Sequence, residues 1–230
     1  MPVDVLLFDF GGTLDADGHR WSVRWYEHYR AVGGRLEAAA FESRFRDSDR
    51  LLASHPTVRW LGFRDTVRLQ SELLEALVPD GHALPWGDIA NRFATGAEAI
   101  ARRNAPLLAG LASRYQLGVV SNFTGNLRPC LEELKLAEHF EILIDSAVEG
   151  WEKPDPQIFT AALQALHCPA PNAWVIGDNP DADIRPALLL GCSACWLAPA
   201  ERSLPPGLAP TLRIAALPEL VPGLEAACTG

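Results

Sequence analysis

The amino-acid sequence predicts an α/β fold in which a doubly wound, Rossmann-like parallel sheet carries an inserted all-helical domain. Short apolar runs alternate with helix-periodic segments at the start of the chain and throughout its second half. The stretch between residues 18 and 103 interrupts this rhythm, because it contains several helical patterns and no convincing strand. Alternating strands and helices form right-handed βαβ crossovers, and these crossovers produce a parallel sheet.

Six apolar runs are predicted as strands of this sheet. Continuous apolar runs that end at turn residues are typical of strands buried on both faces. The predicted strands cover residues 3–8, 117–121, 141–144, 173–176, 193–197 and, with a weaker pattern, 211–214. Helix-periodic segments at 107–115, 126–134, 157–166 and 181–190 connect them, and a Pro-rich tail is expected to add a last short helix.

The inserted region is predicted as helices over residues 23–32, 38–53, 62–77 and 89–103. Pro56, Pro79 and Pro85 punctuate this region, and each proline ends a helix or starts a turn. We therefore predict a discontinuous core domain of residues 1–16 and 104–230, and a helical domain of residues 17–103. Two of its tryptophans, Trp21 and Trp25, are spaced four apart, which is typical of a buried helix stripe.

Composition restricts the classes of partner. The 230 residues carry a formal net charge of −9 and a pI near 5.1, so nucleic acid is not expected, and an anionic substrate needs a local cation. Charges, Pro or Gly interrupt each apolar run, so neither a membrane span nor a signal peptide is expected, and a cytoplasmic location is. The five cysteines lack regular spacing, and Cys192 and Cys195 are interpreted as buried thiols.

Polar side chains follow several predicted strands directly, at the edge where ligands bind in such sheets. Asp9 follows the first strand, and Ser121 and Asn122 end the second. The strand at 173–176 leads into the acidic segment from Asp178 to Asp183, and Lys153 precedes a helix in a Pro-rich loop. The sequence therefore predicts one site with two carboxylate clusters, a hydroxyl group and a lysine.

These residue types favour phosphate chemistry with Mg²⁺. Clustered carboxylates repel one another unless a cation lies among them, and a site made only of oxygen ligands suits Mg²⁺. Lysine and hydroxyl groups can hold phosphate oxygens, and the Gly11–Gly12 pair allows backbone N–H groups to approach an anion. A carboxylate at the end of a strand can act as a nucleophile, because carboxylates form aspartyl-phosphate intermediates.

Four segments resemble the motifs of the haloacid dehalogenase superfamily, in the same order. They are Asp9-Phe-Gly-Gly-Thr-Leu14, Val119-Val-Ser-Asn122, Gly150-Trp-Glu-Lys-Pro-Asp-Pro-Gln-Ile-Phe159 and Val175-Ile-Gly-Asp-Asn-Pro-Asp-Ala-Asp-Ile184. The resemblance implies that the inserted helices form the family's cap, between the first and second motifs, which closes over the site and sets substrate choice. It implies a hydrolase, with a phosphatase acting on a small phosphorylated metabolite as the expected activity.

The same resemblance implies a role for each site residue. The catalytic residues are Asp9 as nucleophile, Ser121 as phosphate ligand and Lys153 as the orienting cation. Mg²⁺ is held by Asp9, the carbonyl group of Gly11 and Asp178, with Asp183 in support. The expected substrate-binding residues are Gly12, Thr13, Ser121, Asn122 and Lys153. Asp181, by contrast, is expected only to cap its helix, and Asn122 to shape its loop more than to touch substrate.

One position departs from the family pattern. Phosphatases of this superfamily carry a general acid, an Asp, two residues after the nucleophile, and here that residue is Gly11. Positioned acid–base catalysis is typically worth about 10²–10⁴-fold. Either a neighbour such as Asp15, Asp17 or His19 substitutes, or the substrate has a good leaving group.

Two further interpretations stay open. The chain is alternatively a weak or inactive protein that binds a phosphorylated ligand or a protein partner. Dehalogenase or phosphonatase chemistry also lacks the second Asp, but dehalogenases have no use for Asp178 and Asp183 as metal ligands. Phosphonatases use a lysine of the cap, and no lysine precedes Lys135. An Arg near Trp21 is a candidate to hold an anionic part of the substrate, and the protein is expected to be a monomer or a homodimer.

Overall fold

The computed structural model describes residues 3–229 and contains one six-stranded parallel sheet. Its strand order, β3-β2-β1-β4-β5-β6, confirms the doubly wound prediction. All six predicted strands form, with ends that differ by a few residues from those predicted. Their bounds are Val5–Phe8 (β1), Gln116–Ser121 (β2), Ile142–Asp145 (β3), Ala173–Gly177 (β4), Ser193–Leu197 (β5) and Leu212–Ile214 (β6).

Side chains alternate between two apolar layers because successive residues of a strand point to opposite faces. In β1, Leu6 and Phe8 join one cluster, whereas Val5 and Leu7 join the other. The first cluster also contains the buried side chains of the inserted helices, so one continuous apolar core joins the insertion to the sheet. The second cluster packs the opposite face of the sheet against the helices that follow β3 and β4.

Four helices form the insertion, as the sequence predicts. They are Trp21–Ala31 (α1), Ala38–Ala53 (α2), Phe63–Leu77 (α3) and Trp86–Ala112 (α4). The helices of the sheet domain are Leu127–Glu133 (α5), Ser146–Glu149 (α6), Gln157–Ala165 (α7), Arg185–Leu189 (α8) and Leu220–Thr229 (α9), and a π-helical turn, Pro180–Ile184, precedes α8. Over residues 3–229, no helix combines the length and the apolar character that crossing a membrane requires.

The structure differs from the prediction at α4. Separate helices were predicted at 89–103 and 107–115, but α4 runs through both segments with Pro106 inside it. Proline removes one backbone hydrogen bond from a helix interior. The buried residues Ala101, Asn104, Leu108 and Leu111 hold both sides of the proline in one apolar face. A domain boundary at residues 103 and 104 falls inside this helix, and the division into two domains stays a prediction.

The thiol pair in the strand region is structural, as predicted. Cys192 and Cys195 are buried and free. Burial raises the pKa of Cys192 to about 11, and burial also raises the pKa of Cys195. Both thiols therefore stay protonated and unreactive near neutral pH.

Candidate active site

The site lies where the strand order reverses, at the carboxyl ends of β1 and β4. Phe8 pairs with Ile176, so Asp9 and Gly177 extend side by side beyond their strands, and Asp178 follows one residue later. The backbone N–H of Asp9 donates to the carbonyl oxygen of Ile176 at 2.9 Å, which fixes the first of these residues against β4. Ligands bind at such reversal points in doubly wound sheets.

Lys153 joins two of the predicted carboxylates. Its Nζ donates to Asp9 Oδ1 at 2.6 Å and to Asp183 Oδ1 at 2.7 Å, and all three side chains are buried. Burial lowers the pKa of Lys153, but the two carboxylates outweigh this effect, and the net shift is upward. The lysine is therefore a permanent buried cation in contact with the predicted nucleophile.

Asp178 completes a group of three buried carboxylates. Oxygen atoms of Asp9, Asp178 and Asp183 lie within 4.8 Å of one another. Burial raises the pKa of Asp178 well above its ordinary value, and repulsion from Asp9 and Asp183 raises it further. Burial likewise raises the pKa of Asp183. Such a group favours either protons or a bound cation.

One oxygen of Asp178 is left without a donor. Its Oδ2 is buried and accepts no hydrogen bond from any residue between 3 and 229. The arginine nitrogens Arg20 Nε and Arg202 Nη1 lie 3.9 Å away, beyond hydrogen-bond range. A buried carboxylate oxygen without a hydrogen-bond donor is costly, so these three aspartates fit a divalent cation with oxygen ligands.

Backbone contacts orient the acidic residues. Asp183 Oδ2 accepts a 3.0 Å hydrogen bond from the backbone N–H of Asn179, and the absence of a side chain on Gly177 leaves room for Asp183. The carbonyl oxygen of Asp178 accepts hydrogen bonds from Trp196 Nε1 and Arg202, each at 3.0 Å. Asp181 is exposed and pairs with Arg185 at 3.1 Å, whereas the Asn179 side chain caps the turn. The expectation that Asp181 caps its helix is wrong.

The two predicted hydroxyl groups meet Asp9. Thr13 Oγ1 donates to Asp9 Oδ2 at 3.2 Å, and Ser121 Oγ donates to Asp9 Oδ1 at 3.3 Å. Asn122 uses both ends of its amide on the backbone of Lys153: its Nδ2 donates at 2.8 Å and its Oδ1 accepts at 2.7 Å. The peptide bond between Lys153 and Pro154 is cis. Asn122 thus shapes the loop that presents the lysine.

The two glycines after Asp9 have different surroundings. Gly12 has a positive φ of 98°, and a Cβ atom there would lie 2.8 Å from Asp178 Oδ1, so only glycine fits. Its N–H donates to Asp15 Oδ1 at 2.7 Å and is therefore engaged within the protein. Substrate binding by Gly12 stays a prediction that this hydrogen bond does not support. Gly11, by contrast, faces the cavity.

A tryptophan occupies the space beside Gly11. The Trp21 indole lies against it, with Nε1 3.3 Å from the place of a Cβ atom, and this nitrogen donates to Asp15 at 2.8 Å. Arg24 also donates to Asp15, at 3.0 Å. Trp25 is fully buried and stacks on Phe93, as a core stripe predicts, whereas Trp21 lines the cavity.

None of the three proposed substitutes for the missing acid is free to act. The buried Asp15 carboxylate is fully used by Gly12, Trp21 and Arg24. Burial raises its pKa, and Arg24 opposes that shift. Asp17 accepts a bidentate pair of hydrogen bonds from Arg103, at 2.6 and 2.7 Å. His19 is exposed and is not among the residues that line the cavity.

A cavity of about 460 Å³ connects this site to the inserted helices. Helix α2 supplies one wall through Phe45, Asp49, Arg50, Leu52 and Ala53. Neither the four motifs nor the strand ends of the sequence point to Asp49. A signal was available, because Asp49 lies four residues after Phe45 and three before Leu52, so it is a carboxylate beside an apolar stripe.

The sequence also matches known families and structures. A family model described as haloacid dehalogenase-like hydrolase matches residues 3–191. A phosphoserine phosphatase of Thermus thermophilus is 35% identical over 128 residues, which are 52% of this chain and 51% of the relative. The pyrimidine 5′-nucleotidase YjjG of Escherichia coli is 31% identical over 116 residues, 50% of this chain and 52% of the relative. The chain thus spans about half the length of these curated relatives.

A solved structure extends the likeness over the whole fold. The putative HAD-hydrolase YfnB from Bacillus subtilis superimposes with a TM-score of 0.60 at 21% identity, and the match covers 98% of this chain and all of the other. Haloacid dehalogenases are among the other solved structures of this fold, also at low identity. At such identities the likeness concerns the fold alone.

Proposed function

The chain belongs to the haloacid dehalogenase-like hydrolases, and from this premise we propose that it is a Mg²⁺-dependent phosphohydrolase. Its substrate is a small phosphorylated metabolite, and the reaction proceeds through an aspartyl-phosphate on Asp9. The observation that carries the proposal is the contact of Lys153 Nζ with Asp9 Oδ1 at 2.6 Å. Beside it lies the Asp178 oxygen that has no hydrogen-bond donor. A nucleophile, a phosphate-binding cation and a metal pocket therefore meet at one point.

Each residue has a chemical task in this proposal. Asp9 attacks phosphorus. Its carboxylate directly follows a strand, which fixes its position, and it faces the cavity. Lys153 and Ser121, which already touch Asp9, hold phosphate oxygens and orient the reacting group. Asp9, Asp178 and the carbonyl group of Gly11, with Asp183 in support, would hold Mg²⁺, which would neutralise charge on the phosphate. Thr13 keeps the second oxygen of Asp9 in place.

The cavity supports a small substrate. Its volume of about 460 Å³ lies in the range of pockets for small molecules. The net charge of −9 disfavours polyanions such as nucleic acid. Arg20 and Arg50 line the cavity and provide the local positive charge that an anionic metabolite needs. A monomer or homodimer in the cytoplasm stays our expectation for the protein.

The test is Mg²⁺-dependent hydrolysis of acetyl phosphate and p-nitrophenyl phosphate. We expect turnover by the wild type, none by Asp9→Asn, and none after chelation of the metal. Asp181→Asn is the matched control, because Asp181 is an acidic residue of the same region that pairs only with Arg185 in the contacts described. Turnover that survives in Asp9→Asn, or that does not depend on Mg²⁺, contradicts the proposal.

A second candidate is a weak or inactive protein that binds a phosphorylated ligand or a protein partner. The observation that favours it is the Trp21 indole, which fills the place beside Gly11 where phosphatases of the family carry their acid. A thermal shift with Mg²⁺ and beryllofluoride, together with absent turnover of both substrates, supports this candidate. Dehalogenase chemistry is disfavoured, because it has no use for the metal-binding carboxylates of Asp178 and Asp183.

A further inference from the structure

The proposed reaction lacks an acid for the leaving group. Attacking and leaving oxygens lie roughly in line in phosphoryl transfer. The leaving oxygen therefore points away from Asp9 and into the cavity. A proton donor has to face that space. Asp15, Asp17 and His19 are not among the residues that line the cavity.

Helix α2 provides a carboxyl group in this position. Asp49 lines the same cavity as Asp9, and its Oδ1 accepts a 2.9 Å hydrogen bond from Gln70 Nε2 of α3. Gln70 is fully buried and also donates to Ser48 Oγ at 2.7 Å. The position of the amide group that binds Asp49 is therefore fixed by its own contacts. The other titratable group that α2 contributes to the cavity is Arg50, and a guanidinium group does not release its proton near neutral pH.

The surroundings of Asp49 suit proton transfer. Burial by the protein around it raises the pKa of Asp49 to about 7, the Gln70 hydrogen bond opposes this shift, and Glu42 adds to it. By its accessible surface, however, Asp49 is an exposed residue, so water screens part of this shift and its proton can exchange with solvent. Other charged groups line the cavity beside Asp49. They are Arg20, Arg50, Glu152, Lys153 and the three aspartates proposed to bind the metal, Asp9, Asp178 and Asp183. An acid that titrates near the working pH can both give and take a proton.

We propose that Asp49 is the catalytic acid and base that replaces the Asp missing at Gly11. This inference rests on the proposed phosphohydrolase function. It assigns a chemical role to the inserted helices, which supply the proton donor as well as a wall of the cavity.

The proton and electron pairs balance in two steps. Asp9 forms a bond to phosphorus, the ester P–O bond breaks, and its electron pair stays on the leaving oxygen, which takes the proton of the Asp49 carboxylic acid. The products are an alcohol, the aspartyl-phosphate and the Asp49 carboxylate. Water then attacks phosphorus and gives a proton to Asp49, and the bond between phosphorus and Asp9 breaks with its electron pair on Asp9. Inorganic phosphate leaves, and both aspartates return to their starting states.

The test compares an alkyl phosphate, glycerol 3-phosphate, with p-nitrophenyl phosphate, whose phenolate departs without a proton. We expect Asp49→Asn to lose about 10²–10⁴-fold in turnover of the alkyl ester. With the aryl ester, the variant still releases a burst of nitrophenolate equal to the enzyme concentration, and slow steady turnover follows because the water step lacks its base. Asp49→Glu is expected to restore part of the steady rate. The whole 230-residue chain is used throughout, with thermal unfolding as the folding control.

Two further variants separate Asp49 from its neighbours. Asp65→Asn removes a carboxylate of the inserted helix α3 that pairs with Arg68. Neither residue lines the cavity, so we expect wild-type rates. Glu152→Gln removes the other carboxylate near the cavity that we have not assigned a role. The inference is overturned if Asp49→Asn matches Asp65→Asn on both esters or if Asp49→Asn loses the burst as well. It is also overturned if Glu152→Gln, rather than Asp49→Asn, has the described effect. Absence of Asp9-dependent turnover in the wild type overturns the phosphohydrolase proposal itself, and this inference with it.

Discussion

The indole nitrogen of Trp21 lies 3.3 Å from the place that a Cβ atom on Gly11 would occupy. The two residues are thus complementary, because the missing side chain of one leaves the space that the other fills. This relationship explains how the chain can lack an acid at Gly11 without leaving a hole beside Asp9. It also means that an acid restored at position 11 needs the space that Trp21 fills.

We predict that Gly11→Asp alone does not raise turnover of an alkyl phosphate. The new carboxylate has to extend into the Trp21 ring, and such overpacking costs about 1–3 kcal/mol of unfolding free energy. Gly11→Asp combined with Trp21→Ala provides the room, and we expect a gain of about tenfold, below the full value of a positioned acid because Asp49 already donates. Kinetics and chemical unfolding measure both effects, with Trp21→Ala as the control. A single Gly11→Asp variant as active as the double variant contradicts this prediction.

Removing the charge of Asp178 is expected to have opposite effects on stability with and without metal. Asp178→Asn relieves repulsion among three buried carboxylates, so we expect a higher Tm for the metal-free variant than for the metal-free wild type. Added Mg²⁺ raises the Tm of the wild type, by an amount equivalent to about 2.7 kcal/mol at one hundred times its Kd, and leaves the variant unchanged. Differential scanning calorimetry with and without chelator measures both. A Mg²⁺ response that persists in Asp178→Asn places the metal elsewhere.

The chain has two lysines, and they allow a matched test of the buried ion pairs. Lys153→Met leaves Asp9 and Asp183 without their shared cation, and we expect a loss of about 3–5 kcal/mol in the free energy of unfolding. Lys135→Met changes an exposed side chain, and we expect a change within about 0.5 kcal/mol. Chemical denaturation in the absence of Mg²⁺ measures the difference. Equal stability of the two variants is incompatible with the buried pairs described.

Titration of Asp49 predicts a pH dependence of the first chemical step. The acid form donates the proton, so kcat/KM for an alkyl phosphate should fall as the pH rises through about 7. The aryl phosphate needs no donor and should not show this fall. The ratio of wild-type to Asp49→Asn rates at each pH removes the ionisation of the substrate, which is common to both proteins. A ratio that stays constant from pH 6 to 8.5 contradicts the assignment.

The same group affects folding stability in a direction that can be worked out. The pKa of Asp49 is about 7 in the folded protein and 3.8 is its ordinary value, so the folded state holds the proton to higher pH. The stability contribution of this group therefore decreases as the pH rises from about 4 to 7. Asp49→Asn carries no such charge, so its stability relative to the wild type should increase over that window. Urea unfolding at several pH values measures the trend, and a trend of opposite sign excludes the raised pKa.

The strands of the sheet and the residues of the site at its carboxyl edge could be predicted, because short stretches of sequence indicate them. The run from Val5 to Phe8 is apolar at every position, and Asp9 follows it directly. The sequence alone therefore indicates both the strand and the site residue at its end. The carboxyl ends of parallel strands meet at one edge, and this rule alone brings Asp9 and Asp178 together.

The remaining features depend on contacts between distant segments. Proline usually ends a helix, so Pro106 predicted a break, but packing on both sides of it keeps α4 continuous. The engagement of Gly12 with Asp15, and of Asp15 with Arg24, depends on how α1 meets the first loop. Asp49 is far from the motifs in the sequence, and the fold of the insertion is what brings it into the cavity.

The continuity of α4 has a mechanical consequence. Its 27 residues form a rod about 40 Å long that starts among the inserted helices and ends beside β2. A tilt of about 5° at the core end of such a rod displaces the far end by about 3.5 Å, which exceeds the length of a hydrogen bond. Helix α2, which carries Asp49, packs on α1 and α3, and both of these helices pack on α4. A change in the angle of this rod would therefore alter the distance between Asp49 and a substrate held at Asp9.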